Sequence, residues 1–384
     1  EENPMANRRK GEKVIDRREA LALGLAGVGA GIASIYTGNL ARAQRPAAFP
    51  LPRDPDFGDS PSWATELREF APNCYAYVQG NGPPANGGGI SNAGFVEGAD
   101  GLMVFDALAG PLMAQAFIAA IRDEVSDKPF ERLVYTHHHG DHTNGGQYFL
   151  EPGLEVVSTP YCRERMLQMA ASAAGGPDDP AYGNIPPIFE AQQGRALGGE
   201  PRNLVPATTT ITEKTTYYYG DTIVELLPPG VAHTWGDLLV HLPEHKTLFM
   251  GDNGFFHMAP FAHNGHPTRW MGLLEDLLDM DVDHFVPGHG PVAGKPAVQE
   301  MLDYFTLLKS EARKRYDAGV SPGRAAAEIR MGKFDNWMGS ERIILNLYRF
   351  YKEFQGDLEH HLDLPGFREA TAEYNVIVGG TSET

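Results

Sequence analysis

Apolar residues recur along the chain at two spacings, and the change from one to the other predicts most of the elements. Short apolar runs closed by Gly, Pro, Asn or Asp read as strands. They fall at residues 74–78, 90–97, 101–105, 133–136, 154–158, 238–242 and 247–250. Residues 217–227 alternate around Gly220-Asp221 in the manner of a hairpin. Apolar positions three and four apart predict helices at 111–125, 160–173, 267–280, 296–318, 322–331 and 340–355. In the first of these, Leu112, Ala116, Ala119 and Ala120 share one face. Strands and helices come in two successive halves, so a layered α/β fold is expected.

Four stretches fall outside this pattern. Residues 1–45 carry Arg17-Arg18, a Gly- and Ala-rich apolar run from Ala20 to Ala33, and the small-x-small sequence Ala41-Arg42-Ala43. They resemble a bacterial twin-arginine export signal, although Asp16 and Ala20 depart from its usual flanks. Export would make the protein periplasmic or secreted; retention of the segment as a docked helix would leave it cytoplasmic. The apolar run is too short to span a bilayer comfortably, so no stable membrane anchor is expected. Residues 46–69 are rich in Pro and Asp and read as a linker. Residues 175–206 read as a long loop, either a lid or a solvated insertion. Residues 366–384 read as a tail after the C-terminal helices at 296–365. Tyr348, Phe350, Tyr351 and Phe354 cluster in the last of those helices, as helix packing or the face of a homo-oligomer would require.

The chain has 384 residues, enough for one catalytic domain with a large core and appended helices. With 50 acidic against 32 basic residues the net charge is −18, which argues against a nucleic-acid partner and says little about the small-molecule substrate expected below. Two cysteines, Cys74 and Cys162, allow one disulfide or two structural thiols.

The chemistry concentrates at Thr136-His137-His138-His139-Gly140-Asp141-His142, directly after an apolar run. If the run is a strand that breaks at Gly140, His137 and His139 point the same way and can share one cation. Asp141 and His142 then face a second position. Imidazole and carboxylate suit zinc, and also iron or manganese, so the loop reads as half of a two-metal site. A surface His tract is the bland alternative.

His137, His139, Asp141 and His142 match H-x-H-x-D-H, and here the sequence resembles the metallo-β-lactamase superfamily over roughly residues 70–295. The resemblance implies a four-layer αββα sandwich with ligands at one edge, here with additional C-terminal helices. It implies three further ligands: His233, preceded by Ala232 where Gly is usual; Asp252, which bridges; and His289. One metal would lie on His137, His139 and His233, the other on Asp141, His142 and His289, two Zn2+ in all. Asp106 would support the metal loop from behind. The implied activity is hydrolysis by a metal-bridging hydroxide, with Asp141 orienting it. Asp252 stands where several β-lactamases carry Cys or Ser, and this points to the glyoxalase II and lactonase branches. An ester, lactone or amide of moderately apolar character is the expected substrate. Trp235, Phe255, His257 and His263 are expected to wall its pocket. The alternatives are a β-lactamase, an iron-dependent oxidoreductase or dioxygenase, and a non-catalytic metal-binding module.

Overall fold

The computed structural model describes residues 48–80, 91–173 and 203–380. The proposed export signal and nearly all of the 175–206 loop lie outside them. Seven strands form the first sheet in chain order: β1 (Glu66–Ala71), β2 (Cys74–Val78), β3 (Ala93–Glu97), β4 (Leu102–Phe105), β5 (Phe130–Val134), β6 (Glu155–Ser158) and β7 (Thr209–Thr210). The first four are antiparallel neighbours and the last four run parallel. The second sheet holds β8 (Thr215–Tyr219), β9 (Thr222–Gly230), β10 (Asp237–Leu242), β11 (Thr247–Phe255) and β12 (His284–His289), in the order β12-β11-β10-β9-β8. Only β11 and β12 are parallel within it. The helices are α1 (Pro111–Glu124), α2 (Gly140–Thr143), α3 (Pro160–Ala173), α4 (Pro267–Asp279), α5 (Lys295–Asp317), α6 (Pro322–Glu328), α7 (Ile343–Gln355) and α8 (Leu364–Gly380). Among the described residues no helix is long and apolar enough to cross a membrane.

Side chains alternate across a strand, so β4 sends Leu102 and Val104 to one face and Met103 and Phe105 to the other. Both faces are buried, which is why the strand reads as an unbroken apolar run. Met103 and Phe105 meet Val224, Val240 and Phe249 of the second sheet and form the layer between the sheets. Leu102 and Val104 pack under α1 through Phe117 and Ile121. On the far side, Leu248, Met250 and Phe285 lie under α4, α5 and α7 through Trp270, Met301 and Phe350. The result is the α, β, β, α layering that the motif implied.

Helix α1 turns inward a different face from the expected one. Ala114, Phe117 and Ile121 are buried while Leu112 is 62 % exposed, because a Phe and an Ile four apart bury more area than the alanines. Residues 48–65, expected within a linker, are mostly exposed but anchored at points: Ala48 and Leu51 belong to the C-terminal core, and Asn336 Nδ2 donates to the carbonyls of Asp54 and Phe57. Residues 366–380, expected as a tail, continue α8. Its stripe of Ala370, Tyr374 and Val378 is buried, and the Tyr374 hydroxyl donates to Phe49 O. Strand β11 runs on to Phe255 instead of turning at Gly251, so Asp252 sits inside a strand. Gly251 (φ 51°) marks the irregularity there in the pairing with β12.

Candidate metal centre

Each candidate ligand is delivered where a strand ends or bends. β5 stops at Val134, and the next residues lead through an extended His139 (φ −66°, ψ 146°) into the single turn α2. His137 and His139 precede the break at Gly140, while Asp141 and His142 lie in the turn. His233 lies between β9 and β10, Asp252 inside β11, and His289 ends β12.

These seven side chains form two groups that share Asp252, and in each group the donor atoms lie within 4.8 Å of one another. In the first, His139 Nδ1 lies 3.0 Å from both His137 Nε2 and His233 Nε2. Asp252 Oδ2 stands 3.2 Å from His233 Nε2 and 3.6 Å from His137 Nε2. In the second, Asp252 Oδ1 lies 2.9 Å from His142 Nε2 and 3.2 Å from His289 Nε2. Asp141 Oδ2 completes it, 3.1 Å from His289 Nε2 and 3.7 Å from His142 Nε2. Four donors at about 2.0–2.1 Å from a tetrahedral zinc would stand about 3.3 Å apart, so both groups fit a cation. The buried His142 Nε2 and Asp252 Oδ1 face each other without a well-formed hydrogen bond, as lone pairs aimed at a common centre do.

The surrounding residues fix which nitrogen each ring presents. Asp106, in a left-handed conformation (φ 61°), accepts from Thr136 N at 2.8 Å and Thr136 Oγ1 at 2.7 Å. Its Oδ2 lies 2.7 Å from His142 Nδ1, so the proton sits there and Nε2 is left bare. Asp106, expected behind the metal loop, thus contacts both Thr136 and His142. His139 Nε2 lies 3.0 Å from Asn264 Oδ1. Asn92 Nδ2 donates to Pro287 O (2.9 Å) and Gly290 O (2.8 Å), the carbonyls on either side of His289. The neighbouring Ser91 hydroxyl donates to Asp141 O. Neither Ser91, Asn92 nor Asn264 was legible as a site residue, because their partners here are distant in sequence. Glycine is required at 145, where a Cβ would stand 1.9 Å from Ala107 O, and at 288, where it would stand 2.1 Å from Asp252 Oδ1.

Burial holds the His137 ring neutral, well below its ordinary range, and brings His139 down to about 3. Neutral imidazole is the form that ligates. Burial alone would raise Asp141, but His142 and a hydrogen bond with His289 bring it down to about 2. Burial likewise opposes charge on His289, and Asp252 and Asp141 overcome it, raising that ring to about 9. The second group thus pairs carboxylates with positive charge, a part that a cation can take.

The expected pocket residues separate. His263 stacks on His139 at 4.4 Å and 25°. Trp235 is half-buried, 6.1 Å from the His360 ring. Phe255 is buried and stacks on His289 at 4.8 Å. His257 belongs to neither donor group; its Nδ1 lies 3.6 Å from Glu300 on α5. His241 pairs with Glu225 at 3.1 Å, as packing predicts. Cys74 and Cys162 are both free and buried.

Two stacked sheets between helical layers, with a His and Asp cluster at the strand ends and loops of one edge, define an αββα fold with a candidate metal centre. The family model described as the metallo-beta-lactamase superfamily matches residues 86–289, more than half of the chain, and the chain belongs to that superfamily. A linear primary-alkylsulfatase of Pseudomonas sp is 24 % identical over 277 residues, 64 % of this chain and 40 % of its own length. The 2,4-dinitroanisole O-demethylase subunit alpha of Nocardioides sp. (strain JS1661) is 25 % identical over 199 residues, 50 % of this chain and 51 % of its own. The solved structure of the inverting sec-alkylsulfatase Pisa1 from Pseudomonas sp. shares the fold, with a TM-score of 0.54 at 17 % identity over 76 % of this chain and 50 % of that one. The chain therefore spans about half, or less, of the length of these relatives.

Proposed function

We propose that the protein is a two-metal hydrolase of esters whose alcohol part is moderately apolar, with sulfate esters as the first class to test. The observation that carries this reading is the sharing of Asp252 between two groups of donors, one oxygen toward each. His137, His139 and His233 would hold one cation and Asp141, His142 and His289 the other, with zinc the first expectation and iron or manganese suited to the same donors. When bound, such a pair polarises an ester oxygen and brings the pKa of water toward neutrality.

The chain's own residues supply the rest. Asp141 has a side chain 24 % exposed against 4 % for Asp252, so it is the carboxylate that water and substrate reach. Its carboxylate would orient the attacking water and carry that water's proton toward the departing alcohol. Arg342 supports an anionic substrate: its guanidinium lies 5.8 Å from the ring centroid of Phe255, which stacks on His289, and it interacts electrostatically with Asp252 and Asp141. The names of the alkylsulfatase relatives agree with an ester of that kind.

The test is metal analysis of the purified protein with an assay panel of alkyl sulfates, aryl esters, lactones, thioesters, amides and nitrocefin. Turnover of an alkyl sulfate or carboxylic ester at about two metal equivalents per chain is expected, with Asp141→Asn about a hundredfold slower. Nitrocefin as the sole substrate turned over would replace this reading with a β-lactamase. Bound iron with no hydrolysis of any member would replace it with redox chemistry.

A further inference from the structure

Helix α7 and the residue before it meet the 259–266 loop and the start of α4 turn by turn. Arg342 Nη1 donates to Ala259 O at 2.7 Å. Asn346 Nδ2 donates to Pro260 O at 2.9 Å, and its Oδ1 accepts from Ala262 N at 3.1 Å. Arg349 donates to Gly265 O through Nε (3.0 Å) and Nη2 (2.7 Å). Glu353 accepts from Thr268 N at 3.0 Å and from its hydroxyl. Positions 342, 346, 349 and 353 are spaced to share one helix face. All lie beyond residue 289, where the family match ends.

Arg349 does more than hold one loop. It is buried, and it also donates to Glu359 O (2.7 Å) and His361 O (3.1 Å), the carbonyls on either side of His360. Asn264 lies between these two attachments: it precedes Gly265, and its Nδ2 donates to His360 O at 3.1 Å. A donating amide nitrogen on that side turns Oδ1 toward His139, where it accepts the Nε2 proton. The opposite nitrogen, Nδ1, is the one that faces His137, His233 and Asp252.

We propose that Asn264 and Arg349 are positioning residues for the first metal: Arg349 clamps Gly265, next to Asn264, and the carbonyls flanking His360, to which Asn264 donates, and Asn264 aims His139 Nδ1 at the cation. The proposal rests on the two-metal reading above. Outer partners of this kind are commonly worth about ten- to a hundredfold in metal affinity.

The test measures zinc affinity by competition with a chromophoric chelator in two single-site backgrounds. His289→Ala retains the first site and His233→Ala the second. In the first background Asn264→Ala and Arg349→Met should each weaken zinc about tenfold, and the double variant should lose little beyond the worse single, because both act through one amide. In the second background each should shift affinity less than about threefold. Equal weakening in both backgrounds, no weakening in the first, or additive losses would overturn the proposal. If Arg349→Met does not fold, Arg349→Lys replaces it, and Asn264→Ala must still show the selectivity alone. A wild type that takes up fewer than two equivalents removes the two-metal reading before any variant is compared.

Discussion

Asp252 touches both donor groups, so its surroundings are where small changes should matter most. Gly288→Ala would bring a methyl group against Asp252 Oδ1. We expect metal content by elemental analysis to fall at both sites together, with activity following it; an alanine variant that keeps its metal would show that the carboxylate has room to move. His139→Ala should abolish turnover and lower the melting temperature in the presence of zinc, since ligands couple folding to metal. An undiminished rate would remove His139 from the site. Asp335 makes a prediction of a different kind. Burial raises its carboxyl from 3.8 to about 6 although Met331 N donates to it. The fold therefore prefers the neutral acid, and this group's contribution to stability is largest below about pH 4 and declines as pH rises to about 6. In urea unfolding, Asp335→Asn should gain on the wild type across that interval and stay level above it; parallel curves would refute the assignment. Among the candidate ligands, His137, His139, Asp141 and His142 were legible because six consecutive positions contain all four. Asn92 was not, because it acts on carbonyls 195 and 198 positions away and nothing in its local sequence announces them.

At the scale of elements, strands buried on both faces were the easiest to read, and β2 and α3 have the limits expected from the sequence. Helix α8 was missed for a physical reason. Its buried stripe is Ala370, Tyr374 and Val378, one of them small, and glycines stand near both ends at 366, 379 and 380. The face of α1 was misread because four small or branched residues were weighed above Phe117. Asn346 was hidden inside an apolar helix pattern. Its amide is buried and satisfied by Pro260, Ala262 and the Tyr304 hydroxyl. Replacing it by Ala leaves those groups without partners, and we expect a loss of about 1–3 kcal/mol in urea unfolding. A change below a few tenths would mean that water substitutes freely there.

On the scale of the whole molecule, the proposed metals join the two halves of the chain. His137 and His139 follow the first sheet, and His233 and Asp252 come from the second, so a cation on all four would link them. Removing metal with a chelator should therefore lower the unfolding temperature of the entire sandwich in one transition, and zinc should restore it. Saturation at about a thousand times the dissociation constant corresponds to about 4 kcal/mol. An unfolding temperature unchanged by chelation would mean that the folded chain does not hold metal in preference to the unfolded one, and would remove the metal link between the halves. The rungs between α7 and residues 259–268 carry a further consequence for anyone wishing to redesign that segment. It cannot be transplanted or randomised by itself, since its path is written in a helix about eighty residues downstream. Recombination should succeed only when both segments travel as a matched cassette.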